Sequence, residues 1–436
     1  MRKKKVVISS FYASLKNEKM KKYFTLLNCL FLMLSIFCVT ATVSCNNDKN
    51  EERLKAYNND QDPMQIPDLL ERKGELADAV EWSKTKDKVA ELKLKVAAAP
   101  DNVKLRLQLA MIFIAEQRIT GEHHYYYAAI EKILNGVLSL EPKNFEATVF
   151  KASLRMSEHR FADAKQLAEE ATLINPNNAY VYGILVDANV EMGNYEAAVI
   201  ASDTMQALKP SLESYSRASY LREIYGDTTG AIQAMKLAVT AGLPGSEPQC
   251  WSRNILGDLY YNTGNLAQAE MTYTENLIRR PSYAPSMAGL AKVEAKKGNY
   301  ARALILLDSA NAVMQQSSFD EQEADVYAAM GDTKKAAEKY KAVQESLIKD
   351  ANSGQHSVSL ELAKVFEKTN LWDSAKKYTQ QEYDIRPKNI DVNNEMAWIA
   401  YNQKYPAQAK MYLKAAMSTN SKNPELLKRA ALINMQ

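Results

Sequence analysis

The sequence predicts an all-α protein, an α-solenoid made of about nine to ten repeated helix–turn–helix units. Three observations carry this prediction: prolines at a constant interval, alanines at nearly the same interval, and glycine-containing turns between them. Pro142, Pro176, Pro210 and Pro244 follow one another at spacings of 34 residues, and Pro281 comes 37 residues later.

The alanines and turns repeat in phase with the prolines. The alanines recur 33 to 39 residues apart, at Ala164, Ala198, Ala231, Ala269, Ala303, Ala336, Ala375 and Ala409. A turn pair stands about five residues before most of them, at Gly193-Asn194, Gly226-Asp227, Gly264-Asn265, Gly298-Asn299 and Gly331-Asp332. Three residue types in one phase indicate a repeated structural unit.

Each of these residue types has a physical role in a helix pair. Glycine adopts the left-handed conformation that ends the first helix. Alanine lets the second helix approach the first closely, and proline marks the exit from the second helix because it lacks a backbone N–H. Between these residues, apolar side chains recur every three or four positions, which is the helical period.

The segment "WSRNILGDLYYNTGNLAQAEMTYTENLIRRP", residues 251–281, resembles the tetratricopeptide repeat. The residues that match the pattern of that family are Leu256, Gly257, Tyr260, Ala269, Tyr273 and Pro281. The resemblance extends over residues 103–421, about nine repeats, and a degenerate copy precedes it over residues 69–100. It implies a right-handed superhelix whose first helices line a concave groove.

The repeat pattern also predicts the domain boundaries. We expect a signal segment over residues 1–44, a polar tether over residues 45–67, the solenoid over residues 68–421 and a capping helix over residues 422–436. The repeat between Pro100 and Pro142 is about eight residues too long, and we expect the extra residues between its helices, near residues 118–125. A second irregularity falls at residues 349–355.

The N-terminal segment has the layout of a secretory signal. Basic residues precede an uncharged run over residues 23–44, and Met20 is a candidate for the true start of translation. Small residues lead up to Cys45, where the chain turns polar and acidic. This border resembles the lipobox of bacterial lipoproteins, which implies cleavage before Cys45 and lipid attachment to its sulfur.

Two other interpretations of this segment remain open: an uncleaved transmembrane helix, since about 20 apolar residues span a bilayer, and simple secretion. With a lipid on Cys45, the protein is expected at a membrane of the bacterial cell envelope, foremost the outer membrane. The acidic residues 48–52 also resemble a surface-export signal of some lipoproteins.

Charge and cysteine content exclude several classes of function. The chain has 55 Lys and Arg and 52 Asp and Glu; eight basic residues and one acidic residue lie before Cys45, which leaves 47 and 51 in the remainder. A chain without a basic excess does not favour nucleic acid as a partner. Outside the N-terminal segment and Cys45, Cys250 is the sole cysteine. It predicts neither an internal disulfide nor a zinc site.

No catalytic motif is legible, so the sequence predicts neither an enzyme nor a cofactor nor a bound metal. The unusual cluster "HHYYY", residues 123–127, could form a ligand-binding loop. It could equally supply packing residues of a second helix, because no further ligands complete a metal site beside the histidines.

The family resemblance places a partner-binding groove on the first helices. In the two repeats that show it best, the groove positions mix aromatic area with hydrogen-bonding groups, as recognition surfaces do. The candidate residues are Trp251, Asn254, Asp258, Tyr261 and Asn262, and Asp391, Asn394, Trp398, Tyr401 and Asn402 in the later repeat. Trp251 and Trp398 could instead pack against the next repeat.

The combined interpretation is a membrane-anchored lipoprotein that binds a protein partner in its groove and acts as a scaffold or adaptor. The alternative is a surface lipoprotein that captures a nutrient glycan, since some glycan-binding lipoproteins are built around similar helices. That alternative requires exposed aromatic residues on an insertion, and residues 123–127 are its candidate.

Overall fold

The computed structural model describes residues 66–73, 79–353 and 357–435, and this part of the chain contains twenty α-helices and no strand. In chain order the helices are α1 Ala79–Ala98, α2 Val103–Thr120, α3 His123–Leu140, α4 Phe145–Ser157, α5 Phe161–Ile174, α6 Ala179–Glu191, α7 Tyr195–Leu208, α8 Leu212–Ile224, α9 Thr228–Ala241, α10 Glu247–Asn262, α11 Leu266–Arg279, α12 Ala284–Lys296, α13 Tyr300–Val313, α14 Ser317–Ala329, α15 Thr333–Ser353, α16 Ser359–Lys368, α17 Trp372–Ile385, α18 Ile390–Asn402, α19 Pro406–Ala416 and α20 Pro424–Asn434.

The helices α2 to α19 form nine antiparallel pairs, which confirms the predicted all-α solenoid. Each pair packs against the next through its second helix, and the first helices of most successive pairs also contact each other. The first helices therefore form the inner, concave layer, and the second helices form the outer layer. At the C-terminal end, Leu426, Ala430 and Ile433 of α20 pack on the last pair.

The predicted turn glycines and prolines lie where the helices end. The turn glycines between paired helices have positive φ, such as 72° at Gly193 and 83° at Gly298. The prolines follow the second helices within two or three residues, as Pro176 follows α5. The predicted alanines are fully buried between the helices of a pair, with exposed fractions of 0% at Ala269 and Ala303.

The expected insertion between the first two complete helices is wrong. Only Gly121 and Glu122 separate α2 from α3, because each of these helices has 18 residues. Neighbouring first and second helices have 13 and 14 residues. The extra residues therefore lengthen both helices by about one turn. The second irregularity has the same form, since α15 has 21 residues.

Successive turns of the superhelix lie against each other. The turn between the two helices of one repeat touches a junction between two later repeats. The two contacting segments are about 195 residues apart in the chain. Four such contacts occur in order, and they pair Gly121 with Met314, His159 with Ser357, Gly193 with Lys388, and Gly226 with Asn420. We call this line of contacts the seam. Its constant offset corresponds to one superhelical turn per five to six repeats.

The middle of the seam is held by hydrogen bonds between distant parts of the chain. The side-chain amide of Asn389 donates to the backbone carbonyl of Glu191 at 3.0 Å. The backbone N–H of Ile390 donates to the hydroxyl of Tyr195 at 2.8 Å. Ile390 also belongs to the apolar core of repeats that precede it by about 200 residues, so the seam continues the core.

A buried arginine lies beside these bonds. Arg386 pairs with Glu191 across the seam and with Glu382 on its own helix, at 2.7 Å from Nε to Oε2 in the second case. Its guanidinium lies 5.0 Å from the ring centroid of Phe161, which belongs to the earlier turn. The arginine thus joins three helices, and its charge is satisfied within the seam.

Glycines at the seam differ from glycines away from it. A Cβ atom on Gly193 would lie 2.4 Å from the carbonyl carbon of Lys388, and one on Gly226 would lie 2.4 Å from the carbonyl oxygen of Asn420. The equivalent positions Gly264, Gly298 and Gly331, in repeats that no later turn covers, have nothing within 4 Å. The close approach of the two turns therefore depends on the missing side chain.

Among the described residues, no helix has both the length and the apolar character that crossing a bilayer requires. The segment over residues 23–44 lies outside the described residues, and so does Cys45.

Candidate partner-binding lumen

The predicted groove residues of α10 divide into two groups. Trp251 is 43% exposed, Asn262 is exposed and Tyr261 is half-buried, so all three present surface on the concave side. Asn254 is only 9% exposed and belongs to the packed interior. Asp258 lies between the groups, half-buried.

Asn254 and Asp258 are part of a hydrogen-bond network that links three helices. The Asn254 amide donates to Asp258 at 3.1 Å and accepts from the Ser286 hydroxyl at 3.0 Å. Asn276 donates to Ser286 at 2.8 Å, and the Tyr273 hydroxyl donates to Asp258 at 2.8 Å. Asn254 therefore positions neighbouring repeats, while Asp258 keeps one edge toward the concave side.

In α18 the aromatic pair is stacked. The rings of Trp398 and Tyr401 lie 5.1 Å apart at an interplanar angle of 10°, and the guanidinium of Arg429 lies 5.3 Å from the Trp398 ring. Arg429 comes from α20, so Trp398 packs on the next repeat as well as facing the concave side. The Asn402 amide donates to the Trp398 backbone carbonyl at 2.8 Å and caps its own helix.

The same helix positions can be followed through the other repeats by aligning the turns that end the first helices. We call the positions equivalent to Trp251, Asn254, Asp258, Tyr261 and Asn262 the lumen positions. In α6 to α18 they hold nine carboxylates: Asp187, Glu191, Glu213, Glu223, Asp258, Glu321, Asp325, Glu367 and Asp391. They hold four lysines: Lys292, Lys296, Lys364 and Lys368. Sequence reasoning missed most of these residues because it examined two repeats.

Several lumen positions contact each other between adjacent repeats. Lys368 pairs with Asp325 at 2.8 Å, and Lys292 pairs with Asp258 at 3.4 Å. Arg217, one turn after Glu213 on α8, pairs with Asp187 through two contacts of 3.0 and 2.6 Å. With the pairs of Glu191 and Arg386 and of Glu367 and Arg429, they account for five of the nine carboxylates.

The carboxylates at the lumen positions shift the pKa values of neighbouring groups. Partial removal from water lowers the pKa of Lys364, but the carboxylates of Glu395, Asp391 and Glu361 together raise it by more, so this pKa lies above its usual value. Burial raises the pKa of Glu321, and the nearby carboxylate of Asp325 raises it again. The charge of Lys364 is thus stabilised by the carboxylates around it, and ionisation of Glu321 is disfavoured.

A buried acid pair closes the C-terminal end of the first-helix layer. Arg429 contacts Glu367 at 2.8 Å and Glu395 at 3.1 Å, and all three side chains are at most 13% exposed. Burial and the neighbouring carboxylate of Glu395 raise the pKa of Glu367 to about 9, so its carboxyl holds a proton at neutral pH.

The tyrosines of the "HHYYY" cluster serve packing. Tyr126 is fully buried and accepts a hydrogen bond from the Leu70 N–H at 3.1 Å. The hydroxyls of Tyr125 and Tyr127 donate to the carbonyls of Asp68 and Ser157 at 2.8 and 2.7 Å. Among the residues whose side chains the structure describes, no group of three or more potential metal ligands occurs.

The comparison with protein families agrees with this geometry. Residues 284–367 match the profile of the tetratricopeptide repeat-like domain. This segment of the chain is a tetratricopeptide repeat-like domain. The matched segment covers α12 to α16, and the helix pairs on both sides repeat its turns and buried alanines. A comparison with curated protein sequences gives no match.

The similarity of this chain to solved structures is distant. A tetratricopeptide repeat protein from Parabacteroides merdae is 15% identical over 66% of this chain and 98% of its own, with a TM-score of 0.37. PilF from Pseudomonas aeruginosa is 15% identical over 46% of this chain and 90% of its own, with a TM-score of 0.38. Human IFIT1 is 13% identical over 80% and 90% of the two chains, with a TM-score of 0.46.

Proposed function

We propose that the protein is a lipid-anchored scaffold of the bacterial cell envelope that binds a protein partner in its lumen. The observation that carries the binding role is the exposure of large aromatic side chains on the concave layer, 43% at Trp251 and 39% at Tyr220. Exposed aromatic residues beside polar groups supply most of the energy at protein interfaces. The aromatic residues of the cluster at 125–127, in contrast, are engaged in packing and hydrogen bonding, which gives the glycan-binding alternative no support.

The proposed role is binding and not catalysis. The neighbouring carboxylates of Glu367 and Glu395 are held by Arg429 and largely buried. A buried acid pair with a fixed arginine stabilises the end of the solenoid and offers no access for a substrate.

The test of the binding role is crosslinked capture from native envelopes with a tag after Gln436. The test variant combines Trp251→Ala and Tyr220→Ala, both on the concave layer. The matched control combines Ile200→Ala and Ile278→Ala on the outer layer, where the side chains are 68% and 75% exposed. We expect the partner to be lost with the test variant and retained with the control; equal capture by both would contradict the proposal.

The anchor on Cys45 is tested separately. Cells grown with an alkyne-labelled fatty acid should incorporate label into the protein, and Cys45→Ser should abolish the label and release the protein from membranes. Labelling that persists in Cys45→Ser would contradict lipid attachment at this residue. An unlabelled protein that stays in membranes would favour an uncleaved N-terminal helix.

A further inference from the structure

The described part of the solenoid begins and ends with half a repeat. The helix α1 precedes the first complete pair, in the place of a second helix, and α20 follows the last pair, in the place of a first helix. Within the described residues, α1 has no first helix beside it and α20 has no second helix. Each end therefore lacks the kind of helix that the other end supplies.

At the N-terminal end, an open groove lies between α1 and α2. Its apolar lining consists of Leu92 of α1 and of Met111, Ile112, Ala115 and Ile119 of α2. Within this lining Met111 is 55% exposed. An apolar groove between two helices indicates a surface that another element covers.

The groove lies where a first helix packs in a complete repeat. Counted back from the proline after each helix, Pro100 and Pro281, Leu92 of α1 has the place of Tyr273 in α11. The ring of Tyr273 packs so closely on Gly257 of its own first helix that a Cβ atom there would lie 2.4 Å from it. Leu92 therefore marks the face that α1 would turn to a first helix.

At the C-terminal end, α20 exposes an apolar stripe. Leu427, Ala431 and Met435 are exposed and recur every four residues, which places them on one face of the helix. Counted from the N-cap, Ala431 has the place of Ala397 in α18, which is fully buried in the apolar cluster that joins α18 to α19. The exposed stripe is therefore the face that a first helix turns to its second helix.

We propose that copies of this chain associate head to tail, with α20 of one copy packed in the groove between α1 and α2 of the next. The apolar stripe covers the apolar groove, and the two half repeats form one complete repeat. The C-terminal end of α20 then lies beside Lys84 and Lys88, which line the groove, and the helix dipole favours cations at that end. The contact is heterologous, so each added copy leaves one end free for another.

The seam gives an independent check of the register. The turn of one repeat meets the junction that follows the fifth repeat after it, as Gly193 meets Lys388. Across the proposed contact, the repeat formed by α20 and α1 is the fourth after the turn at Gly298, and the α2–α3 pair of the next copy is the fifth. The rule therefore brings Gly298 to residues 142–145 of the next copy. In the single chain, nothing lies within 4 Å of a Cβ atom on Gly298.

These two segments have nearly the same sequences as a pair that already meets within the chain. In the seam, the turn "GNY" at residues 193–195 contacts the junction "PKNI" at residues 387–390, with a hydrogen bond of 2.8 Å between them. The uncovered turn at residues 298–300 is again "GNY", and the junction at residues 142–145 is "PKNF". The contact between copies therefore repeats the contact within the chain.

Exposed apolar side chains on the two edges fall into the same register. The turns of the last three pairs expose Met330, Leu371 and Tyr405. The junctions that the rule places opposite them expose Ile174, Leu208 and Leu243, in that order. Covering these side chains favours association. Because association depends on protein concentration, both ends stay open in dilute solution.

Crosslinking in native envelopes tests the contact between α20 and α1. Lys88→Cys and Asn434→Cys place two exposed thiols at the positions of Ala269 and Tyr260, which share one apolar cluster. A short bismaleimide should link chains that carry both cysteines into dimers, trimers and larger multiples, seen by immunoblot. Either single variant should give no multiples, and the two co-expressed should give dimers and nothing larger. The wild type, in which Cys250 is buried, gives the background.

Monomers alone in the double variant would overturn the proposal. They would mean that another occupant covers the groove, either the N-terminal segment of the same chain or a different protein. Dimers without larger multiples would also overturn it, because a head-to-tail contact leaves both ends available.

A second cysteine pair tests the register. Asn299→Cys with Lys143→Cys should crosslink between copies, since the seam rule brings these exposed residues together. Asn299→Cys with Lys209→Cys is the matched control, because Lys209 lies at a junction two repeats further along and should stay out of reach. Equal crosslinking of the two pairs would indicate random collision and would contradict a continued superhelix.

Charge placed on the stripe should break the association. Leu427→Glu with Ala431→Glu should abolish the crosslink between residues 299 and 143, although neither substitution touches those residues. Ile200→Glu with Ile305→Glu alters exposed side chains of the outer layer and should leave the crosslink unchanged. Crosslinking that persists in the stripe variant would overturn the proposal. This association is independent of the binding role of the lumen, because α1 and α20 lie outside α6 to α18.

Discussion

The hydroxyl of Tyr195 accepts a hydrogen bond of 2.8 Å from the backbone N–H of Ile390, a residue 195 positions later. Ile390 is the first residue of α18, and the first N–H groups of a helix have no acceptor within the helix. The side-chain oxygen of the cap residue Asn389 instead accepts hydrogen bonds from the N–H groups of Asp391 and Val392. One turn of the superhelix therefore completes the hydrogen bonding of a helix in the next turn.

Removing this hydroxyl should destabilise the protein. Tyr195→Phe leaves the buried N–H of Ile390 without an acceptor, at a cost of about 1–3 kcal/mol in the free energy of unfolding. Tyr300→Phe is the matched control, because Tyr300 is also the first residue of a second helix but lies in a repeat that no later turn covers. Its effect should stay below about 0.5 kcal/mol in urea unfolding. Equal losses for the two variants would contradict the role of the seam in stability.

Glycine replacements at the seam separate contact from backbone strain. Gly193→Ala and Gly298→Ala both place a side chain at positive φ, 72° and 83°, which costs about 1–2 kcal/mol in each case. At Gly193 the new methyl group also meets the backbone of Lys388, and overpacking adds about 1–3 kcal/mol. Calorimetry or urea unfolding should therefore rank Gly193→Ala as clearly less stable. The opposite rank, or no difference, would mean that the turns do not touch in solution.

The seam should also respond to pH through Glu191. Burial raises the pKa of Glu191 to about 7, and Arg386 offsets part of that shift. Because the pKa in the folded protein lies above its unfolded value, the contribution of Glu191 is fully present below about pH 4.5 and is lost as pH rises through about 7. Urea unfolding should show that, from pH 5 to pH 8, the free energy of unfolding of the wild type falls relative to that of Glu191→Gln. A difference that is the same at both pH values would refute this assignment.

A second pH effect is expected at the C-terminal acid pair. Burial and Glu395 raise the pKa of Glu367 to about 9, so its stabilising contribution is fully present below about pH 4.5, falls as pH rises and is gone above about pH 9. Glu367→Gln should therefore change stability little at pH 4.5 and should be clearly more stable than the wild type at pH 9.5. Glu425→Gln alters a 64% exposed partner of the same Arg429 and should show no such crossover. Loss of stability in Glu367→Gln at both pH values would indicate an ionised pair.

The repeat architecture could be predicted because its determinants are local. The left-handed turn at Gly264, the close packing at Ala269 and the exit at Pro281 each depend on residues a few positions away. The length of α2 and α3 was not predictable in this way. The spacing of prolines gives the size of a repeat and not whether extra residues enter a loop or a helix.

The candidate site was only partly predictable, for a physical reason. Asn254 matched the expected groove position, but Ser286 and Asn276 from later helices complete a network that draws it into the interior. Trp398 is covered on one side by Arg429 of α20. The seam was not predictable from the sequence. Small rotations between repeats accumulate over five to six repeats before Tyr195 meets Ile390.

Amide hydrogen exchange at Ile390 tests the closed superhelix most directly, since its protection comes from a contact 195 residues away. Residue-resolved exchange by mass spectrometry or NMR should show Ile390 protected in the wild type and unprotected in Tyr195→Phe. Ala179, the first residue of α6, is the internal reference for a first-turn amide and should exchange quickly in both proteins. If Ile390 exchanges as quickly as Ala179 in the wild type, the seam is open in solution and the closed superhelix is wrong.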